Sequence, residues 1–317
     1  MNKYYLDFEE PLKEYDKSIS ELSNGSSISS IDNQNIKKLK KERHKLIETI
    51  SNNLTRWQRV QLARHPERPY TKDIIEYMIT DFIELHGDRH YSDDHAVIGG
   101  IGFLGKRKIV IIGQQKGRNT KENLFRNFGM MRPDGYRKAL RIMKLGEKFK
   151  LPIITLIDTP GAYPGLGAEE RGQGEAIARN LIKMSSLKVP IISLVIGEGA
   201  SGGALGIGLC DRFLMMENTW YSVISPEGCA SILYRDPSKA EVAAESLKVA
   251  PQDLVDVNIC DKIILEPNGG AHRDKEASLD LLRETINEEL EILEKIDPES
   301  FLNNRIQKYD KLGYFES

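Results

Sequence analysis

Pro190-Ile-Ile-Ser-Leu-Val-Ile-Gly-Glu-Gly-Ala-Ser-Gly-Gly203 joins an unbroken apolar run directly to glycine-rich backbone. A short apolar run between a helical segment and a glycine turn reads as a strand buried on both faces, here residues 190–196. Upstream the pattern recurs as Pro152-Ile-Ile-Thr-Leu-Ile-Asp158, which opens onto Thr159-Pro-Gly-Ala-Tyr-Pro-Gly-Leu-Gly167. Each strand follows a segment of helical periodicity, residues 133–150 and 169–187. Alternating helices and short buried strands mark an α/β layer fold. Two glycine-rich turns at the ends of neighbouring strands, one of them Gly197 to Gly203, would gather backbone N–H groups around one cleft.

Toward the N-terminus, Leu12, Tyr15, Ile19 and Leu22 recur at spacings of three and four, and Ile36, Leu39, Leu46, Ile50 and Leu54 form a second stripe. Both predict helices, joined through a flexible polar connection at residues 24–33. Lys37, Lys38, Lys40 and Lys41 read as the solvated face of the second helix. Thr55 and Gln58 form a capping-box pattern that opens a short helix, stopped by Pro66 and Pro69. Residues 1–70 are therefore expected to be a helical extension and residues 71–317 the main domain. That domain should open with Thr71 as N-cap of a helix carrying Ile74, Ile75, Met78, Phe82 and Leu85. A hairpin of strands 96–104 and 108–112 follows, turning at Gly105-Lys-Arg107, then a basic loop over 114–132. A helix over 275–296 with Leu279, Leu282, Ile286, Leu290 and Leu293 on one face, and another after Pro298, close the chain.

The 317 residues include 45 Lys and Arg against 47 Asp and Glu, so the overall field favours neither nucleic acid nor an anionic membrane. No stretch approaches the ~20 consecutive apolar residues that span a bilayer, and residues 1–10 lack a signal-peptide pattern. A soluble, cytoplasmic protein is expected. Cys210, Cys229 and Cys260 are scattered, with no C-x-x-C pair and no histidine at ligand spacing, so neither zinc nor a disulfide is expected.

Three chemistries compete for the glycine-rich segments. Gly100-Ile-Gly-Phe-Leu-Gly-Lys-Arg107 nearly matches a phosphate-binding loop, and Asp158-Thr-Pro-Gly161 an acidic GTPase strand end. Arg107, however, stands where a hydroxyl must hold magnesium, and a strand follows where a helix is required. Gly199-Ala-Ser-Gly-Gly203 matches the G-x-S-x-G nucleophile elbow, with His272 downstream to complete a serine hydrolase around Ser201. The third reading uses the glycines for their amides, aimed at a developing oxyanion and needing no nucleophilic side chain.

In longer segments the chain resembles one family over nearly its whole length, the alpha subunit of the acetyl-CoA carboxylase carboxyltransferase of bacteria and plastids. The resemblance rests on Leu6-Asp-Phe-Glu-Glu-Pro-Leu12, Arg64-His-Pro-Glu-Arg-Pro69, Gln115-Lys-Gly-Arg118, Arg126-Asn-Phe-Gly129, Pro133-Asp-Gly-Tyr-Arg-Lys-Ala-Leu140, Ile157-Asp-Thr-Pro-Gly-Ala-Tyr-Pro-Gly165, Glu169-Glu-Arg-Gly-Gln173, Gly197-Glu-Gly199 and Tyr221-Ser-Val-Ile-Ser-Pro-Glu-Gly-Cys-Ala-Ser231. It implies a crotonase-like (ClpP/crotonase) fold of repeated ββα units with a helical N-terminal extension and C-terminal helices. It also implies a heterotetramer of two alpha and two beta subunits, the beta subunit bearing the zinc ribbon. The implied reaction moves carboxylate from carboxybiotin, held on the biotin carboxyl carrier protein and charged by biotin carboxylase, to acetyl-CoA, giving malonyl-CoA for fatty acid synthesis. On this resemblance Gly202 and Gly203 occupy the oxyanion-hole position for carboxybiotin, and the amides of Gly161 and Ala162 line the same cleft. Lys116, Arg118, Lys121 and Arg126 are then the candidates for contacts to CoA phosphates or the beta subunit.

Overall fold

The computed structural model describes residues 4–23 and 30–313. Three helices lead, α1 (Glu10–Ser23), α2 (Ser30–Asn52) and α3 (Arg56–Ala63). Arg43 of α2 clasps Asp16 of α1 at 2.8 Å, while Lys37, Lys38, Lys40 and Lys41 face solvent. The capping box forms as its spacing requires: Thr55 Oγ1 accepts the Gln58 amide at 3.1 Å, and Gln58 Oε1 accepts the Thr55 amide at 2.9 Å. Of the polar connection expected over 24–33, residues 30–33 already belong to α2, and 24–29 lie outside the described residues.

The amphipathic segment that follows is two elements, not one helix. α4 (Thr71–Met78) ends where β1 (Ile79–Glu84) begins, and β1 pairs antiparallel with β2 (Val97–Leu104), itself hairpinned to β3 (Arg107–Gln114). The glycines of β2 explain the change. A Cβ on Gly100 would lie 2.1 Å from the Ile83 carbonyl oxygen and one on Gly102 2.4 Å from Ile79 Cγ2, so only glycine lets β1 approach. These are the glycines that imitate a phosphate-binding loop. Tyr70, not Thr71, is the N-cap residue: the Asp73 carboxylate accepts its amide at 2.7 Å, while the Thr71 hydroxyl donates to the Gln114 carbonyl at 2.6 Å.

The basic segment after β3 is not loop throughout, because it contains α5 (Thr120–Phe125). Next come α6 (Pro133–Lys148) and β4 (Ile153–Thr159). The helix expected over 169–187 is broken into α7 (Leu166–Glu169) and α8 (Gln173–Ser186) around Gly172, whose φ of 78° interrupts it. β5 (Ile191–Ala200), α9 (Ser201–Leu205), β6 (Arg212–Met216), β7 (Trp220–Ser222), α10 (Pro226–Tyr234), α11 (Ala240–Leu247), α12 (Pro251–Asp256), β8 (Lys262–Ile264), α13 (Lys275–Leu293) and α14 (Pro298–Asp310) complete the order.

The sheet runs β1-β2-β3-β4-β5-β6-β8, antiparallel up to β3 and parallel beyond it. Its parallel strands are covered on both faces, and the period of two divides their side chains between two cores. Val110, Ile112, Ile153, Ile157, Ile191 and Val195 meet Met143 of α6 and Met184 of α8. Ile109, Ile111, Ile154, Leu156, Ile192 and Leu194 meet Ile74 of α4 and Leu282 of α13. β5 outruns its expected end at Ile196: residues 198–200 pair with β7, and Gly199 also opposes Thr159 of β4. The segment expected as a turn from Gly197 to Gly203 is therefore strand as far as Ala200 and helix from Ser201. The longer strand carries the glycines to the C-terminal edge of the sheet.

Candidate active site

The two glycine segments meet backbone to backbone at that edge. A Cβ on Gly203 would stand 2.3 Å from the Gly161 carbonyl carbon and 2.6 Å from the Ala162 nitrogen, so the start of α9 rests on the Gly161-Ala162 peptide. Gly202 and Gly203 lie in the first turn of α9, where amides have no intrahelical acceptor. Among the described residues no loop carbonyl or side chain accepts from either, nor from the Ala162 amide. The Gly161 amide differs, because it donates to Thr159 Oγ1 at 3.2 Å. Ser201 at the head of the helix is exposed and has φ 57°, a left-handed conformation uncommon outside glycine.

A buried polar frame holds the junction. Gln114, at the end of β3, donates from Nε2 to the Gly203 carbonyl at 2.8 Å and accepts the Asp158 amide on Oε1 at 3.0 Å. Below it, Lys116 Nζ bridges Asp158 Oδ1 at 2.6 Å and Glu198 Oε2 at 2.7 Å. Arg64, from the segment after α3, takes the other Glu198 oxygen at 2.7 Å and also pairs with Glu227. Burial alone would raise the Glu198 pKa, but Lys116 and Arg64 outweigh it and hold the carboxyl below its ordinary range. Burial likewise opposes the charge on Lys116, and Asp158 and Glu198 reverse that, pushing its pKa up. Gly197 is glycine because a Cβ there would meet Asp158 Oδ1 at 2.3 Å.

Lys116 is thus part of this frame. Arg118 lies 3.8 Å over the Tyr70 ring and donates to the Pro66 and Arg68 carbonyls, and Arg126 donates to the His95 carbonyl. Lys121 is exposed on α5. Gln114, Glu198 and Arg64 were missed by the sequence reading. For Gln114 and Glu198 the available signal was an amide or charged residue near the tip of an otherwise apolar strand; Arg64, which caps the end of α3, had none.

The serine-hydrolase alternative is overturned. His272 is buried with its ring stacked on His65 at 3.8 Å, and its Nε2 lies 3.2 Å from Glu9 Oε1. No base serves Ser201 among the described residues. Glu9, His65 and His272 do bring metal-ligand atoms within 4.8 Å of one another. Yet Glu9 Oε1 also takes Arg273 Nη2 at 2.6 Å and Oε2 takes the Leu6 amide at 3.0 Å, so a guanidinium already supplies the positive charge.

Residues 5–313 match the family described as acetyl co-enzyme A carboxylase carboxyltransferase-like. The chain belongs to this family. A relative from Chlorobium luteolum, an acetyl-coenzyme A carboxylase carboxyl transferase subunit alpha, is 53% identical over 97% of this chain and 96% of its own length. One of the same name from Dichelobacter nodosus is 52% identical over 99% of both chains. Among solved structures, the transcarboxylase 12S core superposes with a TM-score of 0.53 at 19% identity, over 69% of this chain and 42% of that one. At that identity the likeness establishes the fold alone. The carboxyltransferase-like chain has the crotonase-like α/β fold, with its parallel-rich sheet and covering helices. It is a carboxyltransferase subunit, and no helix among its described residues is long and apolar enough to cross a membrane.

Proposed function

We propose that this chain, a cytoplasmic protein, is the alpha half of the acetyl-CoA carboxylase carboxyltransferase. With a zinc-ribbon beta subunit, in a tetramer of two alpha and two beta chains, it completes a cleft where carboxylate passes from carboxybiotin to acetyl-CoA. Carboxybiotin arrives on its carrier protein after charging by biotin carboxylase and supplies the activated carboxylate. Residues 71–317 form the carboxyltransferase domain, and residues 1–70 a helical extension.

The observation that carries the reading is the direct seating of Gly203 on the Gly161-Ala162 peptide, which places unpartnered amides from two strand ends together. The Gly202 and Gly203 amides stabilise negative charge on the ureido oxygen as carboxylate departs, and Ala162 supplies a third donor. Gly161 contributes shape, because its own amide bonds to Thr159. Donors of this kind are each worth about 3 kcal/mol of transition-state stabilisation. Lys116 holds Asp158 and Glu198 together beneath the amides, leaving Lys121 as the residue of the basic segment best placed to meet CoA phosphates or the beta subunit.

The test mixes the chain with a beta subunit, malonyl-CoA and biotin and follows acetyl-CoA release. Gly203→Val drives a side chain into the Gly161 peptide and is expected to lower turnover by about 10²–10³ while the subunits still co-elute. Ser201→Ala is expected to keep near-normal turnover. Normal turnover in Gly203→Val, or complete loss in a folded Ser201→Ala, would remove the assignment.

A further inference from the structure

Away from this edge, a cavity of about 610 Å³ opens between the outer face of α6, the turn at residues 87–89 and α8. Its walls carry Arg89, Arg137, Arg141, Lys144, Lys148 and Arg179 against a single carboxylate, Asp88, in a chain of net charge −2. Asp88 is already satisfied: Oδ2 takes Arg137 Nε at 3.0 Å, and Oδ1 accepts the amides of His90, Tyr91 and Ser92. Arg179 has Glu175 at 3.5 Å. Arg89, Arg141, Lys144 and Lys148 have no carboxylate within ion-pair distance among the described residues.

Two features separate this cavity from an ordinary solvated helix face. Arg137, Arg141, Lys144 and Lys148 follow one another at four, three and four residues, so they share one side of α6, where like charges at that spacing oppose the helix. Two guanidiniums are also locked side by side. Arg141 donates to the Gly87 and His86 carbonyls at 2.9 and 3.0 Å, and Arg89 donates to the same His86 carbonyl at 2.9 Å. Burial and then the charge of Arg89 push the Arg141 pKa down, and the more distant charges of Asp93 and Asp88 offset them only in part. Between the charges, Leu140, Leu145 and the methylene stems of the basic residues give an apolar floor.

We propose that this cavity binds a small phosphorylated anion of nucleotide size, its phosphates on Arg89, Arg141, Lys144 and Lys148 and its organic body against Leu140 and Leu145. The volume falls within the ~300–1,000 Å³ usual for such ligands, and fixed guanidinium forks match phosphate oxygens. A free nucleoside polyphosphate and the nucleotide end of coenzyme A share this chemistry. The proposal is independent of how the glycine amides act.

Calorimetric titration of the full chain with pyrophosphate, ATP and CoA decides it. At least one nucleotide should saturate at one equivalent per chain, more tightly than pyrophosphate, and weaken as salt is raised. Arg141→Ala and Lys144→Ala should each weaken it about tenfold or more, while Lys37→Ala, on the exposed face of α2, changes nothing. Tighter binding of ATP identifies a free nucleotide as the ligand, and tighter binding of CoA the acyl carrier. No saturation with any probe, equal weakening by Lys37→Ala, or pyrophosphate matching both nucleotides would overturn the proposal. Circular dichroism of each variant confirms that lost binding is not lost fold.

Discussion

Gln114 is fully buried, and its single amide group satisfies both the Asp158 N–H and the Gly203 C=O, backbone groups 45 residues apart that belong to the two glycine segments. A carboxamide is the side chain that can donate on one side and accept on the other without carrying charge. Gln114→Glu keeps the acceptor for Asp158 but loses the donor to Gly203, which leaves a buried carbonyl facing an oxygen. An unsatisfied buried group costs about 1–3 kcal/mol, and here the cost falls on the alignment of the α9 amides. The expected outcome is a kcat about tenfold lower or worse in the reconstituted decarboxylation assay, with KM for malonyl-CoA nearly unchanged. A merely structural role would instead lower the amount of folded protein and leave kcat per folded chain intact.

Among the elements, β5 links sheet and site, and its middle is pinned by a buried ion pair. Arg68, before α4, donates to the Ile196 carbonyl at 2.6 Å and pairs with Glu266, after β8. Burial alone would raise the Glu266 pKa, but Arg68 and Asn218 hold it down at about 2. Glu266→Gln leaves the buried guanidinium uncompensated and should cost roughly 3–5 kcal/mol, read as a lower urea midpoint. Nothing local announces this pair, because its members are 198 positions apart. What was legible is what is local: the Thr55 capping box, the two Pro-Ile-Ile strands, and the apolar stripe that buries Leu282 and Ile286 of α13. The helical spacing through Phe82 and Leu85 misled because β1 is decided by glycines on another strand, Gly100 and Gly102, which admit it at close range. In the site, the glycines were visible as a pattern. The frame of Gln114, Lys116, Asp158, Glu198 and Arg64 depends on four segments converging and has no periodicity to betray it.

At the scale of the whole molecule, the N-terminal segment is fastened to the loop after β8 by Glu9, 263 positions from His272. Burial would raise the Glu9 pKa, but the His272 hydrogen bond, the Leu6 amide and Arg273 bring it down to about 2. His65, stacked on His272, is pushed the other way from a usual charged histidine: burial, then the charge of His272, lowers it to about 3. His272 is lowered too, again by burial first. A depressed histidine pKa means that the folded chain refuses a proton that the unfolded chain accepts. Above pH ~6.5 both states hold His65 neutral and nothing is lost; between there and about 3, stability falls by roughly 1.4 kcal/mol per pH unit for this residue. Glu9 contributes its full stabilisation at every pH above the ordinary carboxylate range and loses it only as pH falls from there toward about 2, so it adds no pH dependence between 7.5 and 5.5. Urea denaturation at pH 7.5 and pH 5.5 should therefore show a drop of about 1–3 kcal/mol from the histidine pair. His65→Asn can keep an acceptor for the Glu67 amide, which His65 Nδ1 now receives at 3.2 Å, but cannot titrate. It should remove the His65 contribution, about 1 kcal/mol over this interval, and an unchanged drop in this variant would place the acid sensitivity elsewhere in the molecule.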